Sequence, residues 1–222
     1  MTELTTTSYA ILGLLALRDH TTYELAKQMQ RTVGYVWPRA ERKLYDEPKH
    51  LVQAGYAQAA ASLTGRRRRT TYSITPAGRQ ALARWLGTEP APPALEFEGM
   101  LRVLFADQGS IGQLRRSIQA VAAQAAAGRV HFADMAAGIL ATGGEYPHRA
   151  HVNALGMRFM TAYFDQITAW ANWALAAIED WDDTTTPART WATRSRSVFA
   201  GAARPRDADR PGQDTARKDS QP

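Results

Sequence analysis

Apolar residues recur every third or fourth position through most of this chain, with one short region near residues 56–74 where the pattern shortens toward alternation. The run Tyr9-Ala-Ile-Leu-Gly-Leu-Leu-Ala-Leu17 follows Thr-Thr-Thr-Ser8. It predicts a helix capped by Ser8, whose hydroxyl would accept from a free first-turn N–H, with Ile11, Leu12 and Leu15 on one face. A second helix is predicted from Thr22 to about Arg31, with Leu25 and Met29 inward. A third starts at Pro38, where a missing N–H costs nothing. It runs through Leu44, Leu51 and Val52 to Gly55, a left-handed terminator. Pro48 inside it is expected to kink or divide it, because proline removes a ladder bond. Two short strands follow, Tyr56 to Ser62 and Thr70 to Ile74, joined by a turn of Gly65 and arginines. Thr75-Pro76 then caps and opens a fourth helix ending near Leu86.

Helix, helix, helix, strand, strand, helix within about 80 residues is the order of a winged helix-turn-helix with a two-stranded wing. After it, residues 88–94 (Thr-Glu-Pro-Ala-Pro-Pro-Ala) read as a linker, and everything from 95 to 181 is helical in pattern. One helix covers roughly Leu95 to Asp107, and another runs from the N-cap Ser110 to about Ala141. A final helix, His148 to Trp181, would be about 50 Å long. Its apolar positions are Leu155, Phe159, Tyr163, Ile167, Trp170, Ala174, Ile178 and Trp181. That stripe is too long for one winged-helix domain to cover, so a second copy of the chain is the expected cover, and these residues are the candidate dimer seam. Residues 182–222 lose periodicity and are rich in Pro, Arg, Asp and Gly; they read as a mostly disordered tail. Deleting 183–222 is therefore expected to leave folding intact. The resulting organisation is mainly α: a winged helix-turn-helix in 1–87, a linker in 88–94, an all-helical dimerisation or effector domain in 95–181, and the tail.

Charge sharpens this division. Residues 1–86 hold thirteen Lys and Arg against six Asp and Glu, whereas residues 87–182 hold six against ten. A basic first module beside a mildly acidic second one fits a polyanion-binding module. The 222 residues contain no cysteine, which excludes disulfides, Cys-ligated zinc and a thiol nucleophile and agrees with a reducing cytoplasm. The apolar stretch 9–17 lacks a basic flank and a cleavage pattern, so it does not read as a secretory signal. No uninterrupted apolar run reaches membrane-spanning length. There is no G-x-S-x-G, no phosphate-cradling glycine loop and no carboxylate pair beside a nucleophile, so no enzymatic function is expected and no cofactor is implied.

Within the winged arrangement, the run Thr-Gly-Arg-Arg-Arg-Arg-Thr-Thr-Tyr-Ser-Ile-Thr (64–75) becomes the wing. A run of charges is often only a solvated loop, but arginines at a wing tip lie close to a DNA backbone. There they meet phosphates or enter a narrow minor groove. Arg66, Arg67, Arg68 and Arg69 cannot all face the duplex, because a strand alternates sides. Two or three contacts per subunit are expected.

The stretches Tyr-Ala-Ile-Leu-Gly-Leu-Leu-Ala (9–16), Thr-Tyr-Glu-Leu-Ala (22–26), Pro-Arg-Ala-Glu-Arg-Lys-Leu-Tyr (38–45), Leu-Val-Gln-Ala-Gly-Tyr (51–56) and Tyr-Ser-Ile-Thr-Pro-Ala-Gly-Arg (72–79) together resemble the PadR family of bacterial transcriptional regulators. Pro48 departs from the family pattern, which has leucine there. The helical second half resembles the domain that often follows in that family by pattern rather than by motif. The resemblance implies a dimer on an inverted-repeat double-stranded DNA operator, usually repressing, in some members released by a small aromatic or other effector.

It also places the third helix in the major groove, with Arg39, Arg42 and Lys43 reaching phosphates or guanine edges; a solvated basic face is the alternative. Tyr45 either donates to a phosphate or packs beneath its helix, and Lys49 is a further phosphate candidate. Tyr23 opens the second helix, where unsatisfied N–H groups favour anions, and reads as a phosphate contact or a core residue. Tyr72 reads as a core residue of the wing strand, for which the family also implies a backbone contact. Trp170 and Trp173 could sandwich a planar effector or simply pack at the dimer interface. His148 and His151 stand three apart without a third ligand, so they read as ordinary histidines and no metal is expected. Two other functions compete: a helical protein-interaction adaptor that uses a winged helix without DNA, and an enzyme with a metal at the His pair.

Overall fold

The first helix, α1 (Thr6–Leu17), starts earlier than its sequence suggests. Thr5 is the N-cap, accepting from the Ser8 N–H, while Ser8 accepts from the Thr5 N–H at 2.8 Å. Ser8, expected to cap, instead closes a capping box from the third position. The reason is tertiary: its buried hydroxyl donates to the Glu47 carboxylate, 39 residues away. The computed structural model describes residues 4–38, 43–64 and 67–203, and the chain divides into two compact units at Pro93–Ala94.

In the first unit, β1 (His20–Thr21) leads directly into α2 (Thr22–Gln28), whose axis continues through a π turn over Met29–Val33 into α3 (Gly34–Val36). Leu25 and Met29 point inward and are fully buried, as their spacing requires. The expected long third helix is divided. A turn spans residues 44–46, and α4 (Glu47–Gln53) begins afresh with Pro48 in its first turn, where no ladder bond is lost. Gly55, at φ +79°, ends α4: its N–H donates to Val52 O and the Tyr56 N–H to Leu51 O, the paired bonds of a Schellman motif.

The strands β2 (Ala57–Thr64) and β3 (Arg67–Ile74) are both longer than their alternation indicates. They pair antiparallel from Ala57–Ile74 to Thr64–Arg67. β1 adds on the other side of β3, with His20 opposite Tyr72 and Thr21 opposite Thr71, giving the order β1-β3-β2. Two residues are too few to show a period, so this strand was invisible in the sequence. α5 (Pro76–Leu86) opens at the Thr75 cap and returns across α1, stacking Trp85 on Tyr9 with ring centroids 4.9 Å apart. The core beneath is Ile11, Leu12, Leu15, Leu25, Met29 and Leu51, closed by Tyr72 and Ile74 from the sheet.

In the second unit, α6 (Glu98–Leu104) and a single 3-10 turn precede α7 (Ile111–Thr142). Ser110 and Gln113 form the capping box of α7, and Gly143 at φ +78° ends it. α8 (Ala150–Ala177) packs back along α7. Leu114 and Ile118 meet Ala171, Ala174 and Ile178 at one end; Ala125 and Phe132 meet Met160 and Phe164 toward the other. The Phe164 ring lies against Gly128, where a Cβ would come within 2.4 Å of it. Arg115 crosses from α7 to donate to the carbonyls of Ile178 and Glu179 just past the end of α8.

This hairpin corrects the assignment of the whole apolar stripe of α8 to a partner. Ala174 and Ile178 are buried within the chain, and Tyr163, Ile167 and Trp170 pack at the edges of the same clusters. Leu155 and Phe159 are left exposed, at 75% and 62%. The rest of the stripe is covered because α7, at 32 residues against 28 in α8, lies alongside it.

The tail also needs correcting. Where disorder was expected, residues 187–202 form α9 (Pro187–Thr190) and α10 (Ala192–Ala202). Asp183 organises the turn into them. Its carboxylate accepts from the Thr186 hydroxyl and N–H and from Thr185, and these bonds hold its pKa well below the usual carboxylate range. Thr184 donates to Gly109 O, and Trp191 sits between Trp173 and Trp181, with centroids 6.5 and 5.6 Å away. Residues 204–222 of the expected tail lie outside the described residues.

Candidate nucleic-acid interface

The hairpin β2–β3 and the start of α2 form one local structure. Thr21 serves twice: it is a residue of β1, paired with Thr71, and it is the N-cap of α2. Glu24, at the third position of that helix, accepts from the Thr21 N–H at 2.8 Å and from its hydroxyl at 2.7 Å, both through Oε2. The other oxygen, Oε1, lies 3.1 Å from Nη2 of Arg69 on the wing strand and 3.7 Å from Nη1 of Arg18. The Thr21 N–H and hydroxyl are the main causes that lower the Glu24 pKa from the ordinary 4.5 to about 2; burial opposes them and Arg69 adds to them. Near pH 7 it is therefore a fixed anion at the root of the wing.

The sequence-predicted contacts divide around this root. Tyr23, beside Glu24 in the first turn of α2, is 76% exposed, so of its two readings the core one does not hold in this fold. Lys43 is exposed, and Leu44 beside it is buried in the core. Tyr45 is 66% exposed, which removes packing beneath the helix. Lys49 is turned to Asp46, with Nζ 3.1 Å from Oδ1, an exposed pair that a phosphate can replace at little cost. Arg67 and Arg68 belong to β3, opposite Thr64 and Leu63. Arg39, Arg42 and Arg66 lie outside the described residues.

Tyr72 takes the core reading and not the backbone contact that the family resemblance implied: it is only 6% exposed and closes the core from its position opposite His20 and Ala59. One residue changes place. Arg69, grouped with the phosphate contacts, is occupied by Glu24. Glu24 itself was missed. Its signal was present as Thr21-x-x-Glu24, a capping-box spacing, but nothing local reveals that the second carboxylate oxygen meets a strand 45 residues on. The same holds for two bonds that tie Trp37 and Glu47 to α1, Trp37 Nε1 donating to Thr7 Oγ1 and Ser8 donating to Glu47.

In the helical unit, Trp170 and Trp173 do not form a facing pair. Trp170 meets the edge of Phe97 and Trp173 meets Trp191, because three residues on a helix turn the two rings toward different neighbours. His148 lies in a 3-10 turn beside Tyr146, and His151 in the first turn of α8. Among the described residues no cluster of three or more His, Asp or Glu side chains is arranged to hold a metal, and no helix is long and apolar enough to cross a membrane.

A three-stranded sheet whose outer hairpin carries the arginine run, set beside a short helix opening on exposed polar groups, defines a winged-helix protein with a basic wing. Residues 11–84, the winged-helix unit, match the model of the transcriptional regulator PadR-like family. It is 29% identical over 99 residues to the negative transcriptional regulator PadR of Bacillus subtilis, a match covering 44% of this chain and 54% of that protein. It is 33% identical over 86 residues to a probable transcriptional regulator of Mycobacterium tuberculosis, covering 38% and 45%. The chain thus spans about half the length of the curated relatives it matches. In fold the likeness reaches further. The Bacillus subtilis PadR structure in complex with operator DNA superposes at TM-score 0.67 over 80% of this chain and 99% of its own, at 21% identity. The same protein in complex with p-coumaric acid superposes at 0.59 over 79% and 100%, at 20% identity.

Proposed function

We propose that this chain is a homodimeric, sequence-specific DNA-binding transcriptional regulator, acting in the cytoplasm as a repressor that a small molecule relieves. The observation that carries the reading is the basic hairpin β2–β3 on a winged-helix unit of the PadR-like family. A structurally similar protein solved on operator DNA supports the partner, and the same protein solved with p-coumaric acid supports a small aromatic effector.

The physics follows from the residues. Lys43 and the arginines of the wing supply phosphate neutralisation, while the segment holding Arg39 and Arg42 reads bases in the major groove. Exposed Tyr23 and Tyr45 add neutral donors to phosphates, which fix register without adding charge. Two such units, joined through the remaining exposed apolar positions of α8 such as Leu155 and Phe159, would match the two halves of an inverted repeat. An effector releases DNA only by favouring an arrangement of the units that the operator does not fit. The proposed role calls for no catalytic residue.

Selection of bound sequences from a random DNA pool tests this directly. A recovered palindrome is expected, and its affinity should fall steeply with salt, log K against log [salt] losing about 0.9 per phosphate neutralised. Replacing Arg66, Arg67 and Arg68 with alanine should weaken all sequences alike and flatten that slope, leaving preference intact. A chain that enriches no sequence would favour the adaptor reading instead.

A further inference from the structure

We infer that Glu24 restrains the wing, holding Arg69 on a protein carboxylate and thereby off the DNA backbone, so that operator affinity is set below what the arginine run could deliver. The inference rests on the DNA-binding function proposed above and concerns a residue that this function does not otherwise use.

The geometry makes Glu24 a permanent competitor for Arg69. Its carboxylate is not free to swing, because Oε2 is committed to the N–H and hydroxyl of Thr21, at 2.8 and 2.7 Å. That leaves Oε1 aimed at β3, where Nη2 of Arg69 meets it at 3.1 Å, with Arg18 adding a second cation at 3.7 Å. A surface ion pair usually gains little, since two flexible side chains must both be ordered. Here one partner is already fixed by a capping box, and the other sits on a strand locked to the same Thr21 through the β1–β3 ladder. Both side chains remain in contact with solvent, at 49% and 27%, so Arg69 keeps the option of a phosphate once the carboxylate is gone. Glu24 also stands next to exposed Tyr23, at the helix start proposed to approach the backbone. An uncompensated anion there would repel DNA. Arg69 therefore cancels Glu24, and Glu24 withholds Arg69.

Four proteins decide it: the wild type, Glu24→Gln, Arg69→Gln, and the double variant, each titrated with the selected operator duplex at several salt concentrations. Glutamine keeps the capping-box geometry, so Glu24→Gln should fold, and circular dichroism checks this. Glu24→Gln is expected to bind roughly fivefold more tightly at low salt, with a salt slope steeper by about two per dimer as one arginine per subunit gains a phosphate. Arg69→Gln should bind more weakly than wild type, because Glu24 then keeps only the more distant Arg18 as a counter-charge. The double variant, which removes a neutral pair and preserves net charge, should match the wild type within about twofold in affinity and in slope. A double variant roughly tenfold weaker, or a Glu24→Gln variant indistinguishable from wild type, would overturn the inference while leaving DNA binding itself in place. A wild type that binds no duplex would overturn both.

Discussion

At Gly78, a single hydrogen atom stands where any other side chain would collide with the backbone. A Cβ there would lie 2.1 Å from Tyr56 O and 2.8 Å from Ile74 Cγ1. The crowding is functional in the structural sense: Tyr56 O accepts from the Thr75 N–H at 3.1 Å, and the Thr75 hydroxyl donates to Gly55 O at 2.8 Å. These bonds clamp the first turn of α5 onto the corner where α4 ends and β2 begins. Gly78→Ala should therefore destabilise the protein by about 1–3 kcal/mol, since backbone rather than a mobile side chain must move, and a denaturant titration measures it. The glycine was visible in Thr75-Pro-Ala-Gly-Arg79 as part of a family-like stretch, but the reason for it was not. A close approach between Gly78 and Tyr56 is a contact across 22 positions, and no local pattern encodes it. Ser8 makes the same point from the other side. Locally it is as good an N-cap as Thr5, and its bond to Glu47, made across 39 positions, is what draws it inward.

At the level of elements, helical periodicity was the most readable signal, because a helix closes its hydrogen bonds within its own segment. The starts of α5 and α7 follow from Thr75-Pro76 and Ser110, and their ends at Leu86 and Thr142 fall within a residue of where the pattern stops. Strands were less readable, since their partners come from elsewhere. β3 extends back through Arg67, three residues beyond its alternating part, because β2 supplies opposite residues as far as Thr64. The start of α2 carries a testable consequence of its own. Glu24 has its pKa lowered to about 2 in the folded chain, so its interactions stabilise the fold fully above the ordinary 4.5 and are lost as pH falls toward 2. Stability followed by urea unfolding should fall across that window. In Glu24→Gln the fall should be smaller, since a neutral amide has no proton to take up; an equally steep loss in both would show that other carboxylates govern acid unfolding.

On the scale of the whole chain, the segment after α8 departs most from expectation. Its composition resembles disordered sequence, yet Pro187 is buried and Trp191 is packed between two tryptophans of the helical unit. Truncation after Ala203 should leave the melting temperature unchanged. Truncation after Asp182 removes Trp191 and the Asp183 turn and should lower it by roughly 5 °C, as expected for the loss of one or two kcal/mol of aromatic contact. Equal melting temperatures for both truncations would return the segment to the status of an appendage. The exposed pair Leu155 and Phe159, together with Val152 on the same side of α8, remains an apolar surface that the described residues leave uncovered.

The sequence by itself determined the class of fold, the division into a basic winged-helix unit and a helical one, and the placement of the arginine run on a hairpin. Each depends on periodicity, caps and charge, which are properties of neighbouring residues. The tertiary structure decided which of those residues are at liberty to act. It buried Tyr72, exposed Tyr23, gave Arg69 to Glu24, and covered the lower stripe of α8 with α7. Such outcomes depend on what meets a side chain across tens of residues, and only the packed chain brings those partners together.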